Sequence, residues 1–217
     1  MNKFKLYEDL QNYILDYIPH YPKYLSNCQL VCKRWKHVLQ DKLDTVYWNK
    51  VENLIGEKET DKLKQGAKFE GELDLRSKKL NGGTCKILAK ILVEMKGLKR
   101  LCLWENNIGD EGCRHLAKVL VEMKGLKLLS LGRNNIGDEG CRHLAKVLVE
   151  MKGLKTLGLA WNNIDAEGCR HLVPALAEMK GLERLWLREN NIGEEGKKVM
   201  REAWEKAGKH VDNLRLL

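Results

Sequence analysis

From about Phe69 onward the apolar residues fall into a fixed rhythm. One complete unit runs from Leu98 to Gly125, and the same spacing recurs from Leu126 to Gly153, Leu154 to Gly181 and Leu182 to about Lys209, a period of 28 residues. A degenerate first unit ends at Gly97, with Leu73, Leu75, Leu80, Cys85 and Leu88 in the matching slots, and a partial strand at 213–217 ends the array. A period of this length marks a solenoid, because a unit this small buries its apolar side only by stacking on its neighbours.

Each unit opens LxxLxLxxNxI, as at Leu98, Leu101, Leu103, Asn106 and Ile108. The alternation at Leu101 and Leu103 is the two-residue period of a short strand. Asn106, Asn134, Asn162 and Asn190 follow the strands, where an amide that both donates and accepts can satisfy turn backbone. From Gly112 the period changes. Cys113, Leu116, Ala117 and Leu120 fall on one face at helical spacing, leaving Lys118, Glu122 and Lys124 to water. Strand then helix, repeated in one direction, predicts an α/β fold, a right-handed β-α solenoid. Strands stack ~4.8 Å apart and helices need roughly 8–10 Å, so the strands line a concave inner side.

This pattern resembles the leucine-rich repeats of the ribonuclease-inhibitor type, over about residues 70–217. The resemblance implies a curved stack with parallel strands inside and helices outside, and a surface that binds another protein.

The units at 98–125 and 126–153 differ at only four positions: Arg100/Leu128, Cys102/Ser130, Trp104/Gly132 and Glu105/Arg133. The third unit places Thr156, Gly158, Ala160 and Trp161 there, and the fourth Arg184, Trp186, Arg188 and Glu189. The first three slots alternate with the buried leucines, so they point out of the strand side. Free drift of exposed positions is one account. Against it, the exposed helix residues Arg114, Lys118, Glu122 and Lys124 are copied unchanged into the next unit. A selected binding face fits better, with Arg100, Trp104, Glu105, Leu128, Arg133, Thr156, Trp161, Arg184, Trp186 and Arg188 as its candidate residues. Its tryptophans would be the anchors, since Trp and Arg are enriched in binding hot spots.

The first 50 residues have another chemistry. All six tyrosines lie there, with Pro19 and Pro22. Apolar Leu10, Ile14, Tyr17 and Ile18 read as one helix, Tyr24, Leu25 and Cys28 as a second, and Val31, Trp35, Val38 and Leu39 as a third. Three short helices are marginal alone. The polar run Glu57–Gly66 separates them from the repeats. The expected organisation is a helical unit at 1–50, a linker or cap helix at 51–68 and repeats at 69–217.

The N-terminal stretch resembles an F-box, over about residues 5–50. The residues that carry the likeness are Leu6, Glu8 or Asp9, Leu10, Ile14-Leu15, Pro22, Tyr24-Leu25, Val31-Cys32-Lys33-Arg34-Trp35 and Trp48. The resemblance implies binding to the Skp adaptor of a Skp–cullin–F-box ubiquitin ligase, and through it to a cullin. Leu6, Tyr7, Leu10, Ile14, Leu25, Val31 and Trp35 would supply contacts or hold them in place. The alternative is a helical cap shielding the first repeat's apolar edge, which solenoids need.

Charge and cysteines narrow the picture. The net charge is +9, so an acidic partner or nucleic acid has to be considered. Within 98–125, however, five cations oppose four anions, which describes a solvated helix face rather than the one-sided charge of a nucleic-acid binder. Seven cysteines cannot all pair, and Cys85, Cys113, Cys141 and Cys169 recur at one repeat position. They read as buried packing residues in a reducing compartment.

Cys113-x-His115 recurs as Cys141-x-His143 and Cys169-x-His171. Helices ~10 Å apart cannot bring such pairs to the ~2.0–2.3 Å that zinc demands, so the histidines are expected on the helix surface and no metal or other cofactor is expected. Asn81-Gly82-Gly83-Thr84 lacks the GxxxxGK[ST] of a phosphate loop and reads as a repeat turn. No nucleophile–base pair stands out, so the chain reads as a binding protein and not an enzyme. No apolar run approaches the ~18 residues of a membrane span, and Met1–Lys5 has no apolar leader. A cytoplasmic or nuclear setting is expected.

Overall fold

Two leucines per strand turn their side chains to one side, and that side is closed. Leu101 and Leu103, and their counterparts Leu129, Leu131, Leu157, Leu159, Leu185 and Leu187, are fully buried. A computed structural model of the chain describes residues 48, 49 and 51–216. In it six short parallel strands stand side by side in sequence order. They are β1 (Gly71–Asp74), β2 (Leu98–Cys102), β3 (Leu128–Ser130), β4 (Thr156–Gly158), β5 (Arg184–Trp186) and β6 (Leu214–Arg215). The register follows the repeat: Leu101 pairs with Leu129, Leu129 with Leu157 and Leu157 with Leu185.

Residues 51–55 are helical, and a separate helix, α1 (Glu57–Gln65), follows them and precedes the sheet. After each of the first five strands comes a helix: α2 (Gly82–Leu92), α3 (Gly109–Leu120), α4 (Asp138–Leu148), α5 (Ala166–Glu178) and α6 (Gly193–Lys206). This is the β-α solenoid the periodicity predicts. Its core lies between the sheet and the helices. Cys85, Cys113, Cys141 and Cys169 are buried there as free thiols. Met95, Met123, Met151 and Met179, which the helical pattern did not single out, are buried where each helix ends. Asn81-Gly-Gly-Thr84 begins α2 as a capping box: the Thr84 backbone N–H donates to Asn81 Oδ1 (3.0 Å), and the Asn81 N–H to Thr84 Oγ1 (2.7 Å).

Two ladders of side chains join the units. Asn162 Nδ2 donates to the carbonyls of Leu159 (2.9 Å) and of Leu131 (3.1 Å) one unit back, while its Oδ1 accepts from the N–H groups of Asn134 (2.9 Å) and Ile136 (3.0 Å). Asn106, Asn134 and Asn190 bond in the same sense. On the helix side Asp110 Oδ1 accepts from the N–H groups of Gly137 (2.7 Å) and Gly140 (3.0 Å), so the start of α4 is capped by the aspartate of the unit before it. Asp138 does the same for Asp165 and Gly168. A carboxylate there also meets the positive end of the next helix.

The ends are closed differently. The polar run at 57–66 folds as α1 and opens a short 3-10 turn at Gly66–Lys68. Glu59 accepts from the Asp74 backbone N–H (3.0 Å), and Lys62 donates to the Glu72 carbonyl (2.9 Å), so α1 covers the free edge of β1. At the far end Trp204 fills the slot held elsewhere by Leu120, Leu148 and Leu176, is fully buried, and donates through Nε1 to the His210 carbonyl (2.9 Å). Lys209 Nζ donates to the carbonyls of Met179 and Leu182 (2.8 Å each). All of this lies within one compact unit, Trp48–Leu217.

Candidate protein-binding face

The four variable positions of each unit form rows across the strand side of the sheet. Pairing places Glu72, Arg100, Leu128, Thr156 and Arg184 in one row. Asp74, Cys102, Ser130, Gly158, Trp186 and Arg215 make the next. Beyond them come Arg76, Trp104, Gly132, Ala160 and Arg188, tied by the backbone bonds that continue the ladder past the strands. Ser77, Glu105, Arg133, Trp161 and Glu189 form the last row, and all five have positive φ, between 55° and 58°. None is Gly or Asn, the types that adopt this left-handed region readily, so each carries strain of roughly 1–2 kcal/mol. No sequence signal marked that conformation.

The middle of the face is lower than its ends. Trp104 lies over Gly132, where an added Cβ would run into its ring. Trp186 lies over Gly158 from the other side, its ring 3.5 Å from where a Cβ would stand. Between the two indoles is a hollow of about 340 Å³, floored by Leu128, Leu129, Ser130, Thr156 and Gly158 and rimmed by Arg76 and Arg100. Thr156 is thus buried, 5% exposed, at the floor of the hollow rather than proud of the surface. The cause is the small neighbours, which let the two indoles lean inward. Trp161 and Trp186 are exposed, at 45% and 38%.

Charges are arranged unevenly along the face. At the β1–β2 end they are paired. Arg100 lies 3.2 Å from Glu72, and Arg76 lies 2.6 Å from Asp74. The Arg76 guanidinium holds the Asp74 carboxyl below its ordinary range. Arg133 bonds Glu105 (3.1 Å), which also accepts from Ser77 Oγ (2.8 Å). Glu105 and Arg133 therefore satisfy each other. Cys102 Sγ donates to Glu72 Oε1 (3.3 Å), and burial first, then that carboxylate, pushes its thiol up to about 11. At the β5–β6 end Arg184, Arg188 and Arg215 are exposed and make no ion pair among the described residues. Arg76 and Arg215 were not among the residues selected from sequence, because they lie in the degenerate first unit and the terminal strand.

On the helix side the histidines correct one expectation. His115 is buried, 8% exposed, and His143 and His171 are half-buried rather than lying free on the surface. Gly140 and Gly168 let neighbouring helices approach closely, a Cβ on either falling within 3.5 Å of the preceding helix backbone. Each histidine sits one turn after a glutamate, at 3.5, 3.2 and 3.8 Å from Glu111, Glu139 and Glu167. Burial pushes Cys85 and Cys169 up to about 12, so these thiols stay protonated. Among the described residues no group of three His, Cys, Asp or Glu is placed to hold a metal ion, and no helix is long and apolar enough to cross a membrane. Leu6, Tyr7, Leu10, Ile14, Leu25, Val31 and Trp35 lie outside the described residues.

Comparison with known proteins agrees with this architecture. A family model for the F-box domain matches residues 4–46, and one for the leucine-rich repeat matches 126–145 and 154–173. No curated protein matches the chain in sequence. Its fold is similar to that of leiomodin-1 actin-binding site 2, with a TM-score of 0.57 and 14% identity, over 71% of this chain and 90% of that one. A tropomodulin C-terminal domain from Caenorhabditis elegans also matches, with a TM-score of 0.49 and 17% identity over 63% of this chain and 82% of that one. An internalin from Listeria monocytogenes gives a TM-score of 0.32 and 20% identity over 51% of this chain and 34% of that one. The chain is thus built from protein-interaction modules. It resembles F-box proteins with leucine-rich repeats in these matched stretches.

Proposed function

We propose that the chain is a substrate-recognition subunit of a Skp–cullin–F-box type ubiquitin ligase. Residues 1–50 form the docking unit for the Skp adaptor, with Leu6, Tyr7, Leu10, Ile14, Leu25, Val31 and Trp35 at or behind the contact, and 51–68 connect it to the repeats at 69–217. The strand face captures a protein target and holds it for transfer by a partner enzyme. The chain supplies proximity, no chemistry and no cofactor. It acts in the cytoplasm or nucleus, where such ligases work.

One observation carries the reading: an F-box match sits on the same chain as repeats whose packing positions are copied while their strand-face positions differ. The second reading is a repeat protein with a helical cap and no ligase role. Affinity capture of the full chain from a eukaryotic lysate separates the two. The ligase reading expects the Skp adaptor and a cullin to be retained. Their absence, with the circular dichroism of a folded chain, sinks it.

A further inference from the structure

The strand face has two ends of different character. At the β1–β2 end every arginine has a carboxylate partner. At the β5–β6 end Glu183 is engaged by Lys155 at 2.6 Å, Glu189 is the one remaining carboxylate of β5 and its exit, and Arg184, Arg188 and Arg215 are unpaired. The same end carries the exposed indoles. Arg215 stands beside Trp186 on the next strand. Arg184 lies two residues before Trp186 and so on the same side of β5. The Trp161 backbone N–H donates to the Arg188 carbonyl (2.9 Å), which sets those two residues next to each other. Two of the three exposed large apolar residues among those described, Trp161 and Trp186, are in this patch.

We propose that this end of the face takes an acidic protein segment carrying one bulky apolar side chain. The apolar side chain enters the hollow between Trp104 and Trp186, and the carboxylates lie against Arg184, Arg188 and Arg215. The proposal rests on the strand face being the target-binding surface, and it names the chemistry of the target. Three observations favour this occupant. The unpaired cations need anions, and guanidinium groups bind carboxylates in a bidentate manner. The hollow, about 340 Å³, is at the small end of the ~300–1,000 Å³ range of ligand pockets, so it admits a side chain and not a folded element. The unpaired cations are confined to one end, while Glu72, Asp74 and Glu105 stand at the other, each with an arginine partner. A nucleic-acid strand laid along the sheet carries charge throughout its length and would meet those carboxylates. A short acidic segment avoids them.

The test is selection from a random-peptide phage library on the full chain and on its R184E/R188E variant. Both positions are exposed on the sheet surface, and folding of the variant is checked by circular dichroism. The proposal expects selected peptides to be rich in Asp and Glu around a large apolar residue. A synthetic selected peptide should bind the variant roughly tenfold more weakly, and its Gln-for-Glu counterpart should bind the native chain more weakly by a similar factor. W186A should weaken binding of the same peptide while leaving the melting temperature nearly unchanged. Selection of peptides without acidic bias, selection of none, or equal recovery on the variant overturns the proposal. Single-stranded RNA that displaces the peptide and is itself lost with R184E/R188E overturns it in favour of a nucleic-acid surface. Retention of the Skp adaptor is scored separately on the same variant, so a failed peptide chemistry leaves the ligase reading standing, and loss of the adaptor leaves the peptide result standing.

Discussion

Replacing Asn162 by alanine isolates what holds one unit to the next. The side chain is buried, 6% exposed, and bridges backbone groups in two units. Removing it affects the groups unequally. Its three acceptors all keep another donor: Leu131 O keeps Asn134 Nδ2, Leu159 O keeps Asn190 Nδ2 and Ala160 O keeps the Arg133 N–H. The N–H groups of Asn134 and Ile136 have Asn162 Oδ1 as their partner and keep none. An orphaned buried donor costs about 1–3 kcal/mol, so two give roughly 2–6 kcal/mol. That is a large part of the about 5–15 kcal/mol that holds an ordinary domain together. At the last unit, Asn190 accepts from one N–H, that of Ile164 (3.1 Å), and is only half-buried, so N190A should cost about 1–3 kcal/mol. Urea titration followed by far-UV circular dichroism, with the slope compared between variants, measures both. Since neighbouring units couple only through their interfaces, N162A should also lower the slope by splitting the array into separately melting halves. A cost below about 1 kcal/mol for N162A, or one no larger than for N190A, would refute the reasoning from orphaned donors.

Two further outcomes follow from geometry described above. G132A forces a Cβ into the space of the Trp104 ring and to 2.9 Å from the Ala160 carbonyl, so it should displace that ring at about 1–3 kcal/mol and remove one wall of the hollow. Indole fluorescence should shift and peptide binding should fall; unchanged fluorescence and binding would mean that Trp104 does not rest on Gly132. His115 and His143 both titrate below the ordinary histidine value, chiefly through burial, with Arg114 and Arg142 adding to the effect and Glu111 and Glu139 opposing it. Below about 6.5 the unfolded chain then holds more protons than the folded one, so stability present at neutral pH declines as pH falls from that value toward the folded pKa. The drop in melting temperature between pH 7.5 and 5.5 should be smaller in an H115Q/H143Q variant, and an equal drop in both would remove these histidines from the account.

Much of the solenoid was legible because packing positions repeat without change. The leucine, asparagine and cysteine slots read correctly from spacing alone, since each is fixed by neighbours identical to its own. The histidines did not, because the helical period places them at the border of the buried stripe and does not say how far a neighbouring helix covers each one. The depth at Thr156 was hidden for a related reason. It comes from two tryptophans, each in a different unit, leaning over Gly132 and Gly158. The left-handed backbone at Ser77, Glu105, Arg133, Trp161 and Glu189 was invisible because tertiary bonds impose it on residues with no preference for it. The pairing of Glu105 with Arg133 was open to inspection as opposite charges in one slot of adjacent units. Arg215 could have been found by extending that slot pattern into the terminal strand.

The asparagine and aspartate ladders join atoms 26 to 31 residues apart, always to the equivalent partner one unit away. The stretch 126–153 can therefore be duplicated or excised without leaving these groups unmatched, because the units on both sides offer the same partners. Asp110 would cap the helix after a deletion of 126–153 as it caps α4 now, because the backbone it meets has the same form. Lineages of such a chain are free to lengthen or shorten their reach in steps of one strand, about 4.8 Å. Each added strip brings four new side chains to the recognition surface while the interior stays as it was.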